Sequence, residues 1–350
     1  MFEKRIAIAS FLLFKSFCSN GICGADHFLS TLVIAGIKFI KAVHKRSFIE
    51  LLLVVWECVD SKCLRTYAGL EIVVLPLFRS DWSRNRHDLI RILGPHSNCR
   101  GCFSLASVEK EAQELEKLSR EGISFIGCTE EEYPAALSQC EDAPVGLYIK
   151  SRTPAGELFR PRREIAVVGT RDLSLYGKEW CEKTIEALSR TSERPRIISG
   201  LALGADICAH KAAIENGLET IAVMATGPES IYPHRHREFA MRLSETDGCA
   251  LITDYPPGTS PLAIHFLRRN RIIAGLSEAL LLIESKIRGG GMMTSRLAFS
   301  YNRDVYALPG RIDDIRSQGC NYLIKSKIAE PLTSTEELIK SIGLTSSGAN

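Results

Sequence analysis

The sequence predicts an α/β protein built on a doubly wound, mostly parallel sheet, and three observations predict it. From Arg163 onward, short β-branched apolar runs alternate with helical patterns. Those runs are apolar throughout rather than at every second position, as expected of strands covered by helices on both faces. Glycine- or arginine-bearing turns follow them, where a parallel sheet places its ligand crevice.

The pattern predicts strands at 165–168, 197–199, 220–224, 250–253, 279–283 and 305–307, with helices at 177–190, 204–216, 234–245, 262–276 and 292–302. Ahead of them, an acidic amphipathic helix at 107–121 is stopped by Gly122 and followed by a strand at 123–126. The turn-rich EEEYPAALSQCEDAP leads to a second strand at 146–149, and 151–163, with two prolines and five charges, reads as a linker. Ser334 and Glu337 form the capping box of a last short helix. The expected zones are an unassigned N-terminal region (1–105), a helix/strand extension and linker (106–162), the sheet domain (163–343) and a disordered tail (344–350). Within 1–105 no helical or alternating period persists, so no fold is assigned there.

With 350 residues, 45% hydrophobic and 24% charged, the chain has the composition of an ordinary globular protein. Its net charge of +3 is too small for non-specific attraction of a polyanion. The basic residues are concentrated: 261–311 carries eight Lys/Arg against three Asp/Glu, which points to a specific anion site. No apolar run reaches the ~18–20 residues of a membrane span. The opening MFEKRIAIASFLLF is basic then apolar like a signal segment but lacks a small-residue cleavage site. Six of the twelve cysteines (Cys128, Cys140, Cys181, Cys208, Cys249, Cys320) are isolated, as reduced thiols of a cytoplasmic protein would be. The other six fall as Cys18/Cys23, Cys58/Cys63 and Cys99/Cys102. Only the last pair, a CxxC near His96, has zinc-ligand spacing, and no metal site is expected.

The segment FLRRNRIIAGLS, 266–277, sets Arg268, Arg269, Asn270 and Arg271 against an apolar stem, the form of a rigid cationic platform. YPPGTSP precedes it and fixes the direction of its approach. VVGTR ends the first strand, where Gly169, Thr170 and Arg171 make either an anion-binding turn or a tight βα turn. It is not a GxGxxG, so no dinucleotide fingerprint is present. In SGLALGADICAH, Gly200 and Gly204 bracket the next turn, Asp206 is placed to cap a helix, and His210 reads as a packed helix histidine. His234, Arg235, His236 and Arg237 read as a solvated helix start. RGGGMMTSR offers Gly289 and Gly290 as a phosphate cradle, and Arg311 and Arg316 lie in a last loop. Glu284 is the best single candidate for a general base, or else an arginine's partner. HExxH, GxSxG, a P-loop lysine and paired metal carboxylates are all missing, which favours binding over catalysis.

In order and spacing, IAVVGTR, SGLALGADICAH, FLRRNRIIAGLS, GGGMMTS and LPGRIDDIRSQGCNYLI resemble the DNA-processing protein A (DprA/Smf) family over roughly 107–340. The resemblance implies an extended Rossmann-like fold and a cytoplasmic homodimer without cofactor. It further implies binding of single-stranded DNA, protection of incoming DNA in natural transformation, and loading of the RecA recombinase. Carried onto this sequence, the DNA groove would be lined by Gly169, Thr170, Arg171, Ser199, Gly200, Leu201, Gly204, Arg268, Arg269, Asn270 and Arg271, with Gly289 and Gly290 beside it. Phe266 would either stack on a base or anchor its helix in the core.

The glycine loop departs from the family's usual serine by running into Met292, which keeps backbone N–H contacts and loses a hydroxyl. Residues 1–105 do not resemble the family's helix-hairpin-helix module, as expected of a diverged module or a mis-set start. The chain stops before a winged-helix domain could begin. The competing class is a nucleotide phosphoribohydrolase of the lysine-decarboxylase-like group, but GGGMMTSR lacks the terminal glutamate of that group's PGGxGTxxE motif.

Overall fold

A computed structural model describes residues 105–345, Thr129 excepted. The three early cysteine pairs, His96, the zone 1–104 and the last residues, 346–350, lie outside the described residues. The chain divides into two compact units, Met1–Glu121 with Ile126–Glu131, and Gly122–Phe125 with Glu132–Asn350. In the first, α1 (Leu105–Arg120) is the predicted acidic helix, carrying an exposed Glu116–Arg120 pair at 2.7 Å.

The strands are β1 (Ile123–Gly127), β2 (Gly146–Lys150), β3 (Glu164–Val168), β4 (Arg196–Ser199), β5 (Thr220–Val223), β6 (Ala250–Thr253), β7 (Ala279–Leu282), β8 (Asp304–Ala307) and β9 (Glu330–Pro331). They form one 9-stranded sheet in the order β1-β2-β6-β5-β4-β3-β7-β8-β9. All neighbours from β6 across to β9 are parallel, while β2 runs antiparallel to β6 with Tyr148 opposite Thr253. Every residue of β4, β5, β6 and β7 is buried, as the unbroken apolar runs predict.

Among the described residues, nine further α-helices belong to the second unit. Two are single turns, α2 (Ala135–Ser138) and α3 (Ala155–Leu158). The others are α4 (Leu175–Ser189), α5 (Ala205–Glu215), α6 (Arg237–Ser244), α7 (Ala263–Leu276), α8 (Gly290–Ser300), α9 (Gln318–Lys325) and α10 (Thr335–Ser341). On α5, Ala205, Ala209, Ala212 and Ala213 face the sheet, and these small side chains let the helix lie close over β3, β4 and β5. Ile165, Val167, Ile197, Leu281 and Ile283 complete that core, each contributing roughly 1.5–3 kcal/mol by burial. Ser334 caps α10 by accepting from Glu337 N–H at 3.1 Å, as the capping box predicts.

After β3 the chain winds outward through β4, β5 and β6, then returns to place β7 on the other side of β3. That reversal is a topological switch point, where the carboxyl ends of adjacent strands open a crevice.

Two expectations need correction. The stretch 151–163 is packed, not a free linker: Leu158 is fully buried, Ser151 Oγ donates to Cys249 O at 2.6 Å, and Gly248 N–H donates to Thr153 Oγ1 at 2.8 Å. Prolines and charges mislead there because each proline starts or follows a single helical turn rather than a flexible segment. The first two residues of the expected tail are also packed. Leu344 is buried and Thr345 O accepts from Ser192 N–H at 3.0 Å. The six described cysteines are free thiols, four of them buried.

Candidate functional site

The stretch Phe266–Arg271 of α7 crosses the loops at the carboxyl ends of five parallel strands, and its side chains meet each. From the loop after β3, the Arg171 guanidinium lies over the Phe266 ring at 5.2 Å. At the end of β4, Gly200 O accepts from Arg269 at 2.6 Å, and at the end of β5, Val223 O accepts from the same nitrogen. Further along the β5 loop, Tyr232 meets Phe266 edge-on, 5.5 Å between centroids and 63° between planes. After β6, Asp254 pairs with Arg271, which also donates to Asp142 O. After β7, the loop Ile287, Arg288, Gly289 and Gly290 lines a groove of about 450 Å³ with Leu267 and Met293.

This collar sorts the basic run by function. Arg269 is 3% exposed and is a strut between two loops, not a free cation on the surface. Burial pushes its pKa down to about 10, against the pull of Asp206 and with the further push of Arg171. Gly200 is required here, because a Cβ would lie 2.2 Å from the Arg269 guanidinium. Asn270 is buried too, and Arg271 is spent on Asp254 and Asp142. The expected wall of Arg268–Arg271 therefore narrows to Arg268, which is exposed and makes no hydrogen bond or ion pair among the described residues. A helix turns its residues 100° apart, so four consecutive side chains cannot share one face.

The loop after β3 keeps its expected shape. Gly204, at φ +74°, sits where a Cβ would come 2.2 Å from Thr170 O, and that carbonyl accepts from Ala205 N–H at 3.1 Å. This stitches the turn after β3 to the start of α5 and leaves Arg171 exposed. Ser199 and Leu201 are buried; Ser199 Oγ donates to Val167 O at 2.6 Å. Leu201 adopts the left-handed region, φ 58°, a strained conformation for a branched side chain. Its carbonyl accepts from His236 Nδ1–H at 2.9 Å. His236 is thus a second strut, where the sequence suggested a solvated helix start.

The remaining candidates resolve in the same way. Asp206 Oδ2 accepts from Ala202 N–H at 3.4 Å at the head of α5; burial raises its pKa, and Arg269 opposes that. His210 is fully buried on α5, its Nδ1–H donating to Thr220 Oγ1 at 2.7 Å, while that hydroxyl donates to Ile197 O. Burial, with Arg269 and His236 nearby, lowers its pKa to about 3, so the ring stays neutral. Glu284 is 1% exposed, and its carboxylate accepts from Ser174 Oγ at 2.5 Å and Ser174 N–H at 2.9 Å. It fixes the end of β7 to the head of α4, and among the described residues it forms no ion pair with an arginine. Gly289 precedes α8 without a side-chain cap, and a Cβ on Gly290 would meet nothing within 4 Å. Arg311 and Arg316 are paired with Asp313 and Asp314 of their own loop.

Sequence reasoning missed Tyr232 and Asp254 and misread His236 as part of a solvated helix start. The signal for Tyr232 was present, an aromatic beside Pro233 in a loop already noted for its basic residues. Nothing in the sequence linked Asp254 to Arg271.

With this geometry in place, similarity is specific. The family model described as DNA recombination-mediator protein A matches residues 124–343. The chain is 36% identical over 252 residues to the DNA processing protein DprA of Streptococcus pneumoniae, covering 71% of this chain and 86% of that one. It is 38% identical over 218 residues to protein Smf of Escherichia coli, covering 62% of this chain and 56% of that protein's length. Among solved structures, DprA of Streptococcus pneumoniae superposes with a TM-score of 0.61 at 32% identity, covering 79% of this chain and 95% of that one. DNA processing protein A of Helicobacter pylori, whose structural work addresses its single-stranded DNA binding mode, gives 0.55 at 25% identity, covering 63% and 95%. These neighbours and the sheet order agree with the extended Rossmann-like fold expected from the sequence.

Proposed function

The chain belongs to the DNA recombination-mediator protein A family, and from that premise we propose that its collar holds single-stranded DNA in preference to duplex. The observation that carries this reading is the division of labour on α7. Arg269 and Arg271 are consumed in binding the loops together. Arg171 stays exposed with its guanidinium over the Phe266 ring, and Arg268 stays exposed on the helix that carries that ring, on a strand-end rim with an uncapped helix start nearby. Cations that track phosphates and rings that accept unpaired bases are what a single strand requires. Lys286 and Arg288, exposed on the loop after β7, extend the positive rim.

Hydrolysis of a nucleotide has less support. Glu284, the candidate base, is buried and already accepts two hydrogen bonds from Ser174, so binding without strand cleavage is the expected behaviour. Membership of the family is also the ground for two further parts of the proposal: that the strand so held is protected and handed to RecA, and that the working form is a homodimer. Filament assembly by RecA on strand precoated with this protein, and sedimentation of the protein alone, test these parts.

Binding itself is tested by fluorescence anisotropy with a labelled oligonucleotide across a salt series. A groove that neutralises several phosphates loses affinity linearly in log salt, with a slope of about −0.7 per contact on single strands. Arg171→Ala and Arg268→Ala should each weaken binding and flatten that slope by about one contact. Unchanged affinity and slope in the double variant would rule out this rim.

A further inference from the structure

The two rings on the rim are not equivalent. Phe266 is half-buried, and the guanidinium groups of Arg171 and Arg269 lie over it at 5.2 Å and 6.0 Å. Tyr232 is 46% exposed. An exposed aromatic on a loose loop would mean little, but this loop is pinned on both sides. Ile231 is buried, Thr226 Oγ1 donates to Ser230 O at 2.5 Å, and four residues beyond the tyrosine His236 is bonded to Leu201 O. The edge-on contact with Phe266 then fixes the plane of the ring.

We propose that Tyr232 is the residue on which a nucleobase stacks, and that Phe266 is a positioning residue that braces it and holds Arg171 beside it. The assignment rests on the single-strand reading above and deepens it. A ring already ordered loses little side-chain freedom when a base lands on it, so more of the stacking energy appears as affinity. With Phe266's face under guanidinium groups, the exposed face belongs to Tyr232. Arg171, over the ring that braces Tyr232, is placed to take the phosphate of the same nucleotide. Stacking of this kind is tolerant of sequence and needs a base released from its partner, so it selects single strands over duplex.

The test uses the full chain and two oligonucleotides of equal length, one of thymidines and one of abasic sites that keeps only sugar and phosphate. Tyr232→Ala should weaken binding of the thymidine strand about tenfold without changing its salt slope. Its binding to the abasic strand should match that of the unsubstituted protein, and Tyr232→Phe should restore the lost affinity. If Tyr232→Ala binds the thymidine strand normally while Arg171→Ala is weakened, the assignment falls and the single-strand reading stands. Equal losses on both strands would show a merely structural tyrosine and would also overturn it. A wild-type protein that binds neither strand overturns both.

Discussion

Two buried arginines, at opposite ends of the parallel strands, show what separates a structural clamp from a functional rim. Arg196 opens β4 and is 1% exposed; it pairs with Glu164 at 3.0 Å and Glu219 at 2.9 Å and donates to Leu158 O. Arg269 reaches the carboxyl ends of β4 and β5 and is held by carbonyl oxygens, with its Nε unpartnered among the described residues. At the amino end, carboxylates cancel the charge within the protein. At the carboxyl end, carbonyl dipoles support it and Asp206 offsets it without a direct hydrogen bond. The buried charge is thus answered by carboxylates at one end of the strands and by dipoles at the other, and under the proposed function the second end is the one that receives anions.

Removing each cation should break this contrast in a measurable way. Arg196→Met leaves the well-buried Glu164 without its ion-pair partner and Glu219 with Arg162 alone, and should cost about 4 kcal/mol in urea unfolding. Arg269→Met leaves two carbonyls without their charged donor and should cost about 3 kcal/mol. An Arg269→Met protein as stable as wild type would show that the collar does not depend on the strut and would end the comparison.

His210 sharpens the carboxyl-end side. Its pKa is depressed to about 3 in the folded protein, from an ordinary 6.5, because burial and the Arg269 charge disfavour the imidazolium. Below pH 6.5 the unfolded chain therefore binds a proton that the folded chain refuses. The stability contributed by the neutral ring is complete above pH 6.5 and is lost at about 1.4 kcal/mol per pH unit as pH falls toward 3. Titratable groups elsewhere contribute to both proteins, so the difference between wild type and His210→Gln isolates this ring. Unfolding free energies of the variant should depend less steeply on pH between 4 and 6.5. Parallel curves would mean that His210 is charged in the folded state.

The fold was legible because its signals are local. Uniform apolar runs such as ALLL at β7 mark strands covered on both faces, and Ser334 with Glu337 marks a helix start. The site was legible only in outline. Arg268 to Arg271 identified the right helix, but which arginine faces solvent depends on where α7 lands against β4, β5 and Asp254. Those contacts span 69, 46 and 17 residues of sequence. The stretch 151–163 failed for the opposite reason, since its packing against residues 244–249 leaves no periodic trace in thirteen residues of mixed character.

The smallest expected effect concerns charges that look functional and are already answered. Arg311 lies in a glycine- and arginine-bearing strand-end loop, as Arg171 does, and composition alone gives them equal weight. Yet Arg311 donates from Nε and from a terminal nitrogen to Asp313 at 3.0 Å and 2.9 Å, and that hydrogen bonding holds the Asp313 carboxyl below its ordinary range. A phosphate approaching Arg311 meets a paired dipole, not a free cation, so Arg311→Ala should change single-strand affinity by less than about twofold and leave the salt slope intact. Asp313→Asn supplies the converse. Freeing Arg311 should raise affinity slightly and steepen the slope, by at most one contact. If Arg311→Ala instead weakened binding as much as Arg171→Ala, internal pairing would not be what sets the boundary of the rim, and the DNA path would extend across the loop after β8.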